Sequence, residues 1–198
     1  GTPYIYQGEE IGMLNAHYSS IGQYRDVESL NYYQILLGKG RTEEEALRIL
    51  AARSRDNGRT PMQWNSGTYG GFSEAEPWLS LSGAFREEIT AEFQKEDPDS
   101  ILSFYKMLIS LRKKRSVIAE GTISFLETGN DMTLAYEREL GSDKIAVFCN
   151  LGKEEQTVLI GKEWIDGKLL LENYRERQKA PESEVFVMKP YELTVLEK

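Results

Sequence analysis

One cysteine, Cys149, and one histidine, His17, are all that this sequence holds of two residue types that dominate metal binding and nucleophilic chemistry. A single cysteine excludes an internal disulfide and any zinc site built on cysteine pairs, and it fits a reducing compartment. Cys149 ends the apolar run that starts at Ile145 and reads as an inert core thiol. His17 has no partner at metal-ligand or triad spacing and takes no chemical role. Long apolar runs are missing as well. None approaches the roughly 18–20 residues that a bilayer-spanning helix needs, so no membrane is expected as a partner. Positive charge is in deficit, and a net charge of -8 would repel nucleic-acid phosphates, so no nucleic acid is expected either. The compact basic cluster Arg112-Lys113-Lys114-Arg115 falls at a predicted helix C-terminus, where the macrodipole favours cations.

What remains is ordinary globular material. At 198 residues, 40% apolar and 28% charged, the chain can bury a core and exceeds the usual size of one domain. Gly1-Thr2-Pro3 leads straight into an apolar stretch without an initiator Met or signal peptide, and the expectation is a piece of a longer polypeptide.

Residues 2–7, with Tyr4, Ile5 and Tyr6 central, read as a short buried strand ending at Gly8. Glu9 and Glu10 follow. Adjacent side chains diverge, whereas a glycosidase acid/base pair must flank one bond, so these glutamates are expected to hold the loop by accepting backbone N–H bonds. Val27, Leu30, Tyr33, Ile35, Leu36 and Leu37 predict a helix that Asp26 could cap and that stops near Gly38-Lys39-Gly40. A second helix is marked by the capping box Thr42/Glu45 and by Ala46, Leu47, Ile49, Leu50 and Ala51. Residues 65–76, with Gly67, Gly70 and Gly71, show no period and read as surface loop. Helical spacing returns over 99–114 after Pro98, carried by Ile101, Leu102, Tyr105, Leu108, Ile109 and Arg112.

From Gly121 the period drops from 3.6 to 2. Seven strands are predicted, over 122–126, 132–138, 144–151, 156–160, 168–174, 184–187 and 192–196. Turn signals such as Gly129-Asn130-Asp131 and Gly141-Ser142-Asp143 separate them. That many short strands in so short a span make an antiparallel sandwich or meander. The domain boundary is therefore expected near residue 118, giving domains 1–118 and 119–198.

The stretch Arg55-Asp56-Asn57-Gly58-Arg59-Thr60-Pro61-Met62-Gln63-Trp64 concentrates forked hydrogen-bonding groups in a turn-rich loop beside an apolar Trp. Guanidinium, amide and indole suit a polyol, since they offer fixed donors and acceptors and a flat face for a sugar ring. A structural ion-pair loop accounts for the same composition, and composition leaves both readings open.

Three motifs decide more. Residues 1–13 (Gly-Thr-Pro-Tyr-Ile-Tyr-Gln-Gly-Glu-Glu-Ile-Gly-Met), residues 24–31 (Tyr-Arg-Asp-Val-Glu-Ser-Leu-Asn) and residues 54–64 resemble, in this order, the C-terminal part of family 13 glycoside hydrolases. Gly71-Phe72, Glu76-Pro77-Trp78 and residues 105–112 extend the resemblance, which covers the whole chain and is loose beyond Gly121. Within the family the chain is most similar to oligo-1,6-glucosidases, dextran glucosidases and trehalose-6-phosphate hydrolases. The resemblance implies an α/β part followed by an all-β part. Residues 2–7 would be the eighth strand of a (β/α)8 barrel, residues 99–114 its last helix, and the remainder an antiparallel β-sandwich. Barrel sites lie at the C-terminal ends of the strands, which would put the loops of residues 8–78 in the site wall.

The same resemblance assigns residues. Arg55 matches the arginine that helps hold the non-reducing glucose in the minus-one subsite, and Glu28 the glutamate lining the plus-one side. Arg59 is counted with them as substrate-binding, although with Asp56 and Asn57 it mainly shapes the loop; Trp64 would anchor the loop in the barrel rim. The nucleophilic Asp, the acid/base Glu and the transition-state Asp of the family come from earlier strands, so no catalytic group, metal or cofactor is expected in this chain. The implied protein is a retaining α-glucosidase of the bacterial cytoplasm that cleaves α-glucosidic bonds, chiefly α-1,6, at the non-reducing end of short oligosaccharides, with the rest of its own barrel as structural partner. Two alternatives stand beside it: a trehalose-6-phosphate hydrolase, for which residues 8–78 offer no clear basic cluster, and a non-catalytic carbohydrate-binding or partner module.

Overall fold

The computed structural model describes residues 2–174 and 180–198; Gly1, which opens the first motif, lies outside the described residues. By compactness the chain divides inside one helix, into Pro3–Met107 and Leu108–Lys198, with Thr2 counted in the latter.

In Pro3–Met107, α1 (Val27–Gly38) and α2 (Glu43–Arg53) form an antiparallel-type hairpin partnership through Tyr33, Leu36, Ala46 and Leu50, which share a core with Ala16, Tyr18, Tyr24 and Leu79. Both caps follow the local sequence. The Asp26 side chain accepts from Ser29 N at the start of α1, and Thr42 with Glu45 closes a reciprocal capping box on α2. Of the six apolar residues that predict α1, Val27 and Ile35 do not face this core, being 67% and 50% exposed, whereas Leu30 and Leu37 pack against it. Two further helices follow, α3 (Ala91–Glu96), which was not predicted, and α4 (Ile101–Lys114), which was.

The first predicted strand, residues 2–7, is not formed among the described residues. Residues 2–6 belong to no strand, and Tyr4 and Tyr6 are exposed. The physical reason is that a strand exists through its ladder partners, and no described residue pairs with this segment. Beyond it, Glu9 and Glu10 hold backbone amides as expected: Glu9 Oε2 accepts from Tyr6 N at 3.1 Å and Glu10 Oε2 from Gly8 N at 2.8 Å.

In Leu108–Lys198 a short helix, α5 (Ser116–Glu120), precedes seven strands: β1 (Thr122–Phe125), β2 (Thr133–Leu140), β3 (Asp143–Asn150), β4 (Gln156–Leu159), β5 (Lys168–Glu172), β6 (Val185–Met188) and β7 (Leu193–Glu197). All pairings are antiparallel. The five-stranded sheet runs β1-β2-β3-β7-β5 and the second sheet is the pair β4-β6. Ala135, Ala146, Phe148 and Leu196 from the larger sheet meet Val158, Phe186 and Met188 from the smaller, around a fully buried Trp164. The alternation along β6, exposed then buried, is the period-2 signature of a sheet with one dry face. Gly121 lets α5 approach β2 closely, because a Cβ there would lie 2.6 Å from Val117 O and 2.9 Å from Glu139 O. Cys149 is partly buried, and burial pushes its thiol pKa up, which keeps it protonated and inert.

Candidate substrate-binding site

The site grows from two chain segments that meet near the N-terminus of α1 and the C-terminus of α2. Asp26 ends its loop with an extended backbone and caps α1, so Glu28 falls in the first helical turn. After α2, Ser54 accepts from Asp56 N at 3.1 Å and starts the 3-10 turn Arg55–Arg59, which turns Arg55 outward and Asp56 inward.

Asp56 is fully buried, and its Oδ2 accepts from Arg25 N at 2.7 Å and from Asp26 N at 2.9 Å. Ser29 Oγ lies 2.8 Å from Asp26 Oδ2 and is hydrogen-bonded to Ser54 Oγ at 2.8 Å. Charge-assisted bonds of this kind are about twice as strong as neutral ones. They lock residues 25–29 against residues 54–56. Arg59 stands between the two buried carboxylates, with Nη1 3.8 Å from Asp26 Oδ1 and 3.8 Å from Asp56 Oδ1. That separation is an ion pair without a hydrogen bond.

Glu28 and Arg55, assigned separate sugar contacts in the sequence reading, are paired with one another: Arg55 Nη2 donates to Glu28 Oε2. Both stay open to solvent, at 68% and 64% side-chain exposure. They line a cleft of about 300 Å³ together with Asp26, Ser29, Tyr32, Arg53 and Ser54. Arg59 is not among its lining residues; it is tied to the aspartates behind. Chemically the cleft offers a guanidinium fork and a carboxylate side by side, a donor and acceptor pair matched to vicinal hydroxyls.

The rest of the loop is scaffolding. Asn57 Oδ1 accepts from Ala16 N at 3.0 Å while its Nδ2 donates to Ala51 O at 2.9 Å. Tyr6 Oη donates to Gly58 O at 2.9 Å. Met62 and Gln63 are buried, whereas Trp64 is half exposed. Below the site Tyr18 and Tyr24 pack edge to face at 5.2 Å, and burial pushes the Tyr24 phenol up to about 12. Sequence reasoning missed Ser29, Tyr32, Arg53 and Ser54. Only the position of Ser54, directly before the Arg-Asp-Asn triplet, hinted at a turn cap. His17 is exposed with a φ of 46° and touches none of these groups' bonds. Among the described residues no cluster of His, Cys, Asp and Glu could hold a metal ion.

Comparison with known proteins bears on what such a cleft is for. The family described as Alpha amylase, catalytic domain, matches residues 1–121, ending one residue before β1. This chain belongs to that family. Among relatives of this alpha-amylase family chain, the trehalose-6-phosphate hydrolase of Escherichia coli is 41% identical over 91% of the chain and 33% of the relative. The probable oligo-1,6-glucosidase 2 of Bacillus subtilis is 39% identical over 98% of the chain and 35% of the relative. Among solved structures, trehalose-6-phosphate hydrolase from Bacillus licheniformis aligns with a TM-score of 0.90 at 40% identity, covering all of this chain and 36% of that one. The trehalulose synthase MutB from Pseudomonas mesoacidophila aligns at 0.87 with 29% identity, over all of this chain and 35% of that one. The chain thus spans about a third of the length of the relatives it matches. Its fold class is the one the resemblance implied, a barrel end of alpha-amylase type followed by an antiparallel β-sandwich.

Proposed function

We propose that this chain is the C-terminal third of a retaining α-glucosidase that cleaves α-glucosidic bonds, chiefly α-1,6, at the non-reducing end of short oligosaccharides. Residues 1–118 would complete the catalytic barrel and residues 119–198 form the C-terminal domain. The observation that carries this reading is the pairing of Glu28 and Arg55 at one cleft, on a scaffold shared with relatives named as oligo-1,6-glucosidases. In this reading the chain positions sugar, Arg55 at the minus-one ring and Glu28 on the plus-one side, with Arg59 supporting both from behind. The nucleophile, the acid/base and the stabilising carboxylate reside elsewhere in the polypeptide. Hydrolysis proceeds through a covalent glucosyl-enzyme intermediate, and the wall's share is geometry, which lowers the barrier by holding the ring near its attack position. A place in the bacterial cytoplasm is part of the same reading; separately, no described helix is long and apolar enough to cross a membrane.

A second reading, hydrolysis of trehalose 6-phosphate, is favoured by one feature. Arg53 brings another guanidinium to the cleft that holds Arg55, and guanidinium forks suit phosphate. Turnover of isomaltose and of trehalose 6-phosphate by the full-length protein decides between them. Higher kcat/KM on isomaltose supports the first reading, and higher kcat/KM on the phosphorylated sugar the second. No turnover of either, or of a chromogenic α-glucoside, removes the glucosidase reading. This chain assayed alone is expected to turn over none of them.

A further inference from the structure

Glu28 and Arg55 come from segments 27 positions apart, and both are largely exposed. An exposed ion pair contributes little and spends side-chain entropy to hold one geometry, so this pair does not position itself. Its neighbours do. Arg55 is flanked by Ser54 and Asp56, and Glu28 lies between Asp26 and Ser29. Each flank of one is bonded to a flank of the other, Asp56 to the amide of Asp26 and Ser54 to the hydroxyl of Ser29.

Building on the glucosidase reading, we propose that Asp56 is a positioning residue that sets Glu28 opposite Arg55, so that the cleft meets a sugar with its donor and acceptor already in register. Asp56 touches no substrate. It acts through the two amides ahead of α1, which its Oδ2 accepts, and its charge toward Arg59 is secondary because that separation of 3.8 Å exceeds hydrogen-bond reach. The amide and charge contributions are separable. In Asp56→Asn the side-chain oxygen can still accept both amides, while the charge facing Arg59 is gone. In Asp56→Ala both are lost.

The test uses the full-length protein, with Asp56→Ala, Asp56→Asn, Arg55→Ala and the Asp56→Ala/Arg55→Ala double variant. Asp56→Ala is expected to lower kcat/KM on a chromogenic α-glucoside on the order of 30-fold or more, close to the effect of Arg55→Ala, and the double variant to lose little beyond the worse single one, as for residues acting as one unit. Asp56→Asn is expected to stay within about fivefold of wild type. A crystal structure of Asp56→Ala should show Glu28 and Arg55 unpaired. Retention of that pair, full additivity with Arg55→Ala, or unchanged kinetics in a folded Asp56→Ala would overturn the proposal. If Asp56→Ala does not fold, Ser54→Ala carries the same comparison from the other flank, and an unchanged pair with unchanged kinetics there counts equally against it. A wild type without turnover would refute the glucosidase reading alone, since the crystallographic comparison needs no activity.

Discussion

The backbone N–H of Asp26 donates to Oδ2 of Asp56 at 2.9 Å, joining two buried aspartates that stand 30 positions apart. Through this bond the residue that caps α1 is held by the residue that follows Arg55. The burial of Asp56 is tolerated because two backbone amides satisfy its Oδ2, while its Oδ1 has no hydrogen bond and faces Arg59 at 3.8 Å.

Removing either member of the exposed pair should separate activity from stability. Arg55→Ala is expected to cost on the order of 3 kcal/mol in transition-state stabilisation, about a hundredfold in kcat/KM, the upper range for hydrogen bonds to charged groups. Glu28→Ala should act in the same direction. Both should change unfolding free energy by less than about 1 kcal/mol, as for surface pairs. Steady-state kinetics beside urea denaturation of the full-length protein checks this; an unchanged kcat/KM would take Arg55 out of the site.

Ser29→Ala should behave in the opposite way in stability. The hydroxyl contacts both Asp26 Oδ2 and Ser54 Oγ inside the protein, and its loss is expected to cost about 1–3 kcal/mol of unfolding free energy. Equilibrium denaturation gives the number, and a loss below about 0.5 kcal/mol, the floor for such bonds, would show that the contact is not formed.

Tyr105 Oη hydrogen-bonds Glu9 Oε1, and this pair sets a pH dependence at both ends of the scale. Burial, and then the Glu9 carboxylate, push the phenol up to about 12. The folded state therefore holds its proton more tightly than the unfolded chain, so this contribution is complete below the ordinary value of 10 and is lost as pH rises toward about 12. Glu9 is shifted the other way, held low first by the Tyr105 hydroxyl and then by the Tyr6 amide. Its contribution is complete above the usual carboxylate range and fades as pH falls through the lowered value. Tyr105→Phe should flatten both limbs and remove one late-titrating phenol from the absorbance at 295 nm, roughly where tyrosinate absorbs. An alkaline titration identical to wild type would refute the pairing.

In the β-sandwich the most exacting polar residue is Asn150. Its Nδ2 donates to Glu154 O and Lys189 O, each at 2.8 Å, and its Oδ1 accepts from Gly152 N at 2.8 Å. Asn150→Ala would leave these groups orphaned in a buried place and is expected to destabilise by about 2–4 kcal/mol, with KM unchanged. Chemical denaturation together with the kinetic assay tests both halves of that statement.

Much of the fold was legible because its signals are local. All seven strands appear within a few residues of their predicted ranges, since alternation and turns such as Gly141-Ser142-Asp143 are written in consecutive residues. The caps at Asp26 and Thr42 were legible for the same reason. The short helices α3 and α5 escaped because five or six residues hold too little period to read. Residues 2–7 carry the composition of a strand but have no ladder partner among the described residues, because pairing is a property of neighbours. At the site, motif resemblance picked out Glu28 and Arg55 singly. Their mutual bond and the Ser29 to Ser54 contact, 25 positions apart, have no local sequence signal at all.

Asp26, Asp56, Ser54 and Ser29 form a closed ring of contacts, each bonded to the next. A ring has no loose end from which to fray. The amide protons of Asp26, Ser29 and Asp56 should therefore exchange with deuterium at a common opening free energy, as one cooperative unit rather than as two independent loops.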